Sequence, residues 1–194
     1  MSWIIAPRTR LGKIWARLDS GVLHPEARDH LFYIIHERVF TRKRGHRILR
    51  NVIQDPTCIR CQTSVETIIH RFSSCSQVLE AWNQLRNILE ILDNSLCFET
   101  DHSLINLYYS EPISHNSVLW LIGEYIMYIE QEVVLSNRKV SGHGLLNRLQ
   151  SRWLECSKLS IPDLELIPGL FPTGVGWRAN YLGVFFSFQT IFSS

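Results

Sequence analysis

The chain lacks any uncharged stretch long enough to cross a bilayer: its most apolar segment, from Val118 to Val134, is interrupted by Glu124, Glu130 and Glu132. No membrane partner is expected. No apolar segment of signal-peptide length follows Met1, and the five cysteines are an odd number, so a disulfide framework does not fit. A reducing, intracellular setting, nucleus or cytoplasm, is the expectation. Also missing is any Asp-Asp pair, which a two-metal polymerase carries in an aromatic-x-Asp-Asp turn; Tyr108-Tyr109 is followed by Ser and Glu. No GxSxG, HExxH or P-loop pattern occurs, and Gly174-Val-Gly176 has none of the rest of a phosphate-binding fingerprint. The parts for polymerisation and for the usual hydrolytic chemistries are therefore not in this chain, and no enzymatic activity is expected of it.

What is present has the balance of a folded protein: 45% apolar and 20% charged residues in a chain of 194, enough for a real core. Net charge is only +2, yet residues 1–75 carry 13 Lys and Arg against 6 Asp and Glu, while residues 76–194 carry 7 against 12. Such asymmetry points to a polyanion-binding half joined to a half with another task.

Cys58-Ile-Arg-Cys61 is followed after eight residues by His70 and after four more by Cys75. Two cysteines separated by two residues can curl onto one metal ion, and a distant His and Cys can close a tetrahedral CCHC shell that suits Zn2+. The alternative is three unrelated cysteines in the core, where free Cys is common. Protein would fill all four positions, so the zinc is expected to be structural. An enzyme would need an open position, with Glu66 imagined as a base, but capping accounts for Glu66 better. Thr63 and Glu66 have the capping-box spacing of a helix start, and Val65, Ile68, Ile69 and Phe72 recur behind it at helical intervals. On an ideal helix Cys75 lies about 140° round from His70. Both can ligate one ion only if the helix ends near Ser73 and Ser74, where Ser74 and Gln77 offer a second capping box.

Just before this motif runs RVFTRKRGHRILR, with Arg38, Arg42, Lys43, Arg44, Arg47, Arg50 and His46 and no acid. Lacking an acidic partner of its own, the run reads as a phosphate-binding surface, with Lys43 and Arg44 most exposed and Ile48 and Leu49 anchoring it. A merely solvated face is the alternative.

The remainder reads as helices. The first places Leu11, Ile14, Trp15 and Leu18 on one face, with Arg10, Lys13 and Arg17 off it, and stops at Asp19-Ser20-Gly21. Pro25 opens a second, with Leu31, Ile34, Ile35 and Val39 as its buried stripe. A helix from Gln77 to Leu92 buries Val78, Trp82, Leu85 and Leu89; Trp82 is read as core rather than as a base-stacking ring. Residues 97–112 read as a loop with a short helix, with His102 and His115 at the surface. Residues 114–135 form a core or partner-facing helix, and after a turn at 137–144 another carries Leu145, Leu149, Trp153 and Cys156 on one side. The expected fold is mostly α: a small helical bundle braced by a CCHC zinc site, with an irregular C-terminal tail. Residues 1–93 form the basic segment with the zinc module, 94–168 an acidic helical extension and 169–194 the apolar tail.

Taken together, the stretch from Ile34 to Trp82 resembles the zinc-binding segment C-terminal to the polymerase core of non-LTR (LINE-type) retrotransposon reverse transcriptases. In that family a helix carrying a Thr and then Arg-rich positions leads into CxxC, an acid-Thr pair, a hydrophobic pair, His-Arg, Cys and a Trp. Those positions are Thr41, Arg44, Cys58, Cys61, Glu66-Thr67, Ile68-Ile69, His70-Arg71, Cys75 and Trp82. The likeness covers about a quarter of the chain, and Gln62 stands where such segments often have Gly. It implies zinc ligation by Cys58, Cys61, His70 and Cys75 and contact with template RNA or target DNA near the Arg-rich helix. The leading expectation is a non-catalytic module that binds RNA or DNA backbone with weak sequence preference. Its contacts would be Arg38, Arg42, Lys43, Arg44, Arg47 and Arg50, with Arg60 and Arg71 added because they flank ligands. The alternative is a helical scaffold with a structural zinc, whose C-terminal helices bind a protein partner.

Overall fold

The computed structural model describes residues 8–92, 96, 100–107, 109, 115–135 and 140–158. In chain order these form α1 (Arg8–Leu18), α2 (Pro25–Ile35), α3 (Arg42–Ile48), a π-helical turn (His70–Ser74), α4 (Leu79–Leu92) and α5 (Asp101–Ile105). Then come α6 (His115–Ile129), which runs on into a π-helical segment (Glu130–Leu135), and α7 (Gly142–Lys158). Among the described residues the only β pairing is one isolated antiparallel bridge between Thr57 and Val65. The fold is mostly α, as expected.

Helix starts follow from local chemistry. Pro25 opens α2, where its missing N–H is no loss. The Thr41 hydroxyl accepts the Arg44 N–H at 3.3 Å to start α3, and Thr100 does the same for Ser103 at 3.2 Å in α5.

α6 is the centre of the molecule. Every residue from Ser117 to Glu130 is buried, as befits a helix that is apolar on nearly all sides. It is enclosed by α2, α4 and α7. Gly123 lets α2 and the residues before it come close: a Cβ there would stand 3.4 Å from Ala27 Cβ of α2 and 2.6 Å from Leu23 Cδ2 just ahead of it. Trp82 of α4 packs on Tyr125 with ring centroids 5.4 Å apart, which makes it a core residue as read from its spacing, and Trp120 meets Trp153 of α7 edge-on at 5.8 Å. One contiguous core runs from Leu18 to Trp153, so the basic segment and the acidic extension share it. Among the described residues no helix is long and apolar enough to cross a membrane.

Three expectations are corrected. Trp15 is 38% exposed, while Arg17, placed off the apolar face of α1, is buried. The Arg17 guanidinium donates to the carbonyls of Leu107 and Tyr109 and lies 4.0 Å from the Tyr109 ring centroid, so burial leaves its charge well partnered. Ile48 and Leu49 do not anchor α3; they are 54% and 44% exposed. The anchor is Gly45 instead, packed so tightly that a Cβ there would lie 2.4 Å from Ile53 Cδ1. The tail at 169–194, Cys97 and the side chains of Leu11, His115 and Cys156 fall outside the described residues.

Tyr125 carries the bundle's hold on the π-helical turn. Its hydroxyl donates to the Phe72 carbonyl, and burial raises its pKa well above the ordinary value, keeping it a donor. Tyr125→Phe leaves that buried carbonyl unpaired and is expected to cost about 1–3 kcal/mol, read as a lower midpoint in urea denaturation.

Candidate metal centre and basic surface

The cysteine hairpin closes through the Thr57–Val65 bridge, the Cys58 N–H donating to the Ser64 carbonyl and the Gln62 N–H to the Cys58 carbonyl, both at 2.8 Å. To turn back directly after Cys61 the chain passes through a left-handed φ of 57° at Gln62. That conformation costs a residue with a Cβ about 1–2 kcal/mol and explains why a glycine suits the position. The turn aims the backbone N–H groups of Thr63 and Ser64 at the Cys61 sulfur, and the Thr63 hydroxyl reaches it at 3.2 Å.

The capping box expected of Thr63 and Glu66 does not form. Thr63 is turned to Cys61, Glu66 is turned inward, and the Thr67 hydroxyl takes the capping role by accepting the His70 N–H at 3.0 Å. From His70 the helix widens: the Cys75 N–H donates to the His70 carbonyl at 2.9 Å, an i to i+5 bond. The wider turn narrows the angular separation that an ideal helix would impose. Cys75 itself is extended, with φ −70° and ψ 132°, so the helix ends at Ser74 as ligation requires.

The outcome is convergence. The three sulfurs and the imidazole nitrogen of Cys58, Cys61, Cys75 and His70 all lie within 4.8 Å of one another, with Cys58 to Cys75 at 4.0 Å and Cys61 to His70 Nε2 at 3.2 Å. Tetrahedral bonds of about 2.3 Å to sulfur and 2.0–2.1 Å to nitrogen set such separations at roughly 3.5–3.8 Å. Burial pushes the Cys75 thiol up to about 12, opposed by the Gln77 amide and reinforced by the neighbouring sulfurs. Burial also raises Cys61, but the Thr63 hydroxyl and amide, the His70 ring and the Ser64 amide outweigh it and bring the thiol down to about 6. Sulfurs packed this closely resist sharing negative charge, and a cation between them relieves the repulsion. The donor set and its spacing fit a metal ion held by four protein ligands.

No family model, curated protein or solved structure matches the chain.

The eight basic residues singled out in the sequence divide into two groups. Arg38, Lys43, Arg47 and Arg50 are exposed, and none has a carboxylate partner among the described residues. Arg42 and Arg44 are half-buried and brace the same surface: Arg42 Nη2 donates to the Asp55 carbonyl at 2.8 Å and Arg44 Nη1 to the Glu37 carbonyl at 2.6 Å. Arg71 is a correction. It is buried, with Nε donating to Glu66 at 3.2 Å, Nη1 to Glu130 at 3.4 Å and Nη2 to the Phe40 carbonyl at 3.2 Å. All three faces of its guanidinium are engaged, so it is not positioned to meet a phosphate. The Arg60 side chain is only 8% exposed and lies 3.9 Å from Glu66. Burial and the neighbouring Arg71 charge lower its pKa, and it too belongs to the interior.

Glu66 is the functional residue that sequence reasoning assigned wrongly. Its carboxylate is buried, meets Arg71 and Arg60, and accepts the Arg42 N–H at 2.8 Å, tying the cysteine hairpin to the start of α3. Glu66→Gln is expected to destabilise the fold by about 3–5 kcal/mol in denaturant titration, because it strips Arg71 and Arg60 of a buried counter-charge. At the neighbouring turn, Gln62→Gly is expected to raise the melting temperature and Gln62→Val to lower it, a pair of opposite signs that strain at the left-handed position alone produces.

Proposed function

We propose that the chain is a non-catalytic nucleic-acid-binding module in which Zn2+, held by Cys58, Cys61, His70 and Cys75, keeps the hairpin rigid. Arg38, Lys43, Arg47 and Arg50, with the exposed parts of Arg42 and Arg44, meet the phosphates of RNA or DNA. Thiolate and imidazole in a closed tetrahedral set favour zinc over harder ions, and such a site contributes of order 10 kcal/mol to folding.

The observation that carries the reading is the division among the basic side chains. Arg71, Arg86, Arg148 and Arg152 lie against carboxylates within the chain. Arg38, Lys43, Arg47 and Arg50, on and around α3, are exposed without one among the described residues. Exposed cations of one sign, held on a braced element, suit a polyanion. The likeness of residues 34–82 to the zinc segment of LINE-type reverse transcriptases supports the same reading and makes a retroelement origin part of the proposal. The scaffold alternative assigns partner binding to the acidic, apolar C-terminal half; within it α6 is enclosed by its own chain, which leaves that helix no face for a partner.

Two measurements test this. Metal analysis of the purified protein is expected to find one zinc per chain, with little in Cys75→Ser and a loss of helicity there. Binding to labelled RNA and DNA is expected to weaken with salt at a log-log slope of about 0.7 to 0.9 per phosphate contacted, and the double variant Lys43→Glu/Arg47→Glu to lower that slope and the affinity together. Binding that survives the charge reversal unchanged would overturn the reading.

A further inference from the structure

Four rings meet on the outer side of α1 and α2. Trp15 lies 6.0 Å from Phe32 and 5.5 Å from His36, centroid to centroid, and Phe32 lies 4.4 Å from His36 and 5.9 Å from Tyr33. Aromatic rings are the largest apolar surface a chain can bury, so their usual place is a core. These stay in water: Trp15 and Phe32 are each 38% exposed and Tyr33 49%, while α2 turns Ala27, Leu31 and Ile34 to the interior instead.

The cluster is continuous with the cationic surface. Phe32 and His36 follow Arg28 at four-residue intervals, which puts all three on one stripe of α2, and Arg28 is exposed without a carboxylate partner among the described residues. At the other end the Arg38 N–H donates to the Tyr33 carbonyl at 2.6 Å, and Arg44 reaches the Glu37 carbonyl. The Glu37 carboxylate is exposed at this end, and the excess of positive charge comes from α3. Asp29, exposed one turn before Phe32 and Tyr33, is a second carboxylate beside the rings, and Arg28, Arg38, Lys43, Arg47 and Arg50 outnumber the two acids. Exposed rings bordered by an excess of cations complement a ligand that alternates flat apolar units with negative charges.

We propose that Trp15, Phe32, Tyr33 and His36 form a stacking platform for unpaired bases, so that the preferred ligand is single-stranded RNA or DNA whose flanking phosphates lie along α3. The proposal rests on the nucleic-acid reading above and narrows it. Every base has a π face, so the platform is tolerant of sequence. In a duplex the bases are stacked on one another, and only phosphates remain for α3 to meet.

The test uses the full-length chain and fluorescence anisotropy with labelled oligo-U, oligo-dT and a DNA duplex of equal length. The triple variant Trp15→Leu/Phe32→Leu/Tyr33→Leu keeps an apolar surface but removes the π faces. It is expected to lose single-strand affinity by about tenfold or more and to keep duplex affinity, whereas Trp15→Phe keeps most of both. If the leucine variant binds single strands as tightly as the parent while Lys43→Glu/Arg47→Glu does not, the platform is overturned, the nucleic-acid reading stands, and a protein becomes the occupant to seek. An equal loss on single strand and duplex in a variant that keeps the parent's circular-dichroism spectrum also overturns it, since the rings then do not select unpaired bases. If the parent binds none of the three probes, both readings fail.

Discussion

The guanidinium of Arg71 sits buried where the cysteine hairpin meets the helical bundle, donating to Glu66, to the Phe40 carbonyl and to Glu130 at the end of α6. It is the immediate neighbour of His70 in the π-helical turn, so the ligand and the bundle cannot shift independently. Glu66 passes the constraint onward. Its carboxylate holds the first N–H of α3, and its backbone carbonyl accepts the Lys43 N–H at 3.3 Å. A buried ionic network tolerates partial loss poorly, because each departed partner leaves a desolvated charge behind. The basic helix is therefore positioned against the Cys-His cluster by backbone hydrogen bonds to Glu66, which the buried arginines hold in place.

This arrangement separates two uses of arginine within a few residues of sequence. Arg60 and Arg71 stand next to Cys61 and His70 of the Cys-His cluster and point inward, where carboxylate and carbonyl oxygens meet them. Lys43, Arg47 and Arg50 lie before the cysteines and point outward. A delocalised guanidinium is less strongly hydrated than an ammonium, which is why arginine can take both positions and why the inward ones are not lysines. Apolar groups accompany the outward cations: Phe40 is 52% exposed, Ile48 54% and Val52 77%. Cations and apolar side chains thus share one face.

How much of this was legible depended on the distance over which each determinant acts. The ligand set could be read because two of its links, CxxC and HxxxxC, are local, and the stripe of α4 because amphipathic spacing reports burial directly. Arg71 could not be placed from sequence, since its second partner, Glu130, is 59 residues away. The exchange of Trp15 and Arg17 has the same origin: hydrophobicity ranks Trp first, but the acceptors that draw Arg17 inward lie 90 and 92 residues downstream. Ile48 and Leu49 were misassigned because α3 is two turns long, too short for periodicity to define a face, and a buried glycine gives no apolar signal. The π-helical turn leaves no periodic trace, although the need to bring His70 and Cys75 to one side implied some departure from an ideal helix. Glu66 fitted a capping box by spacing alone, and a buried carboxylate that serves two arginines has no local signature.

The complete enclosure of α6 bears on whether the cysteine-rich segment is portable. α2, which leads into the basic run, packs against a helix that follows it by some ninety residues, with Gly123 seated on Leu23 and Ala27. The carbonyl of Phe72, in the π-helical turn that carries His70, is held by Tyr125 from the same helix. A transplanted piece ending near residue 93 would carry Cys58, Cys61, His70 and Cys75, yet it would leave behind the surface against which they are braced. The cysteine-rich segment is an outgrowth of the body that supports it.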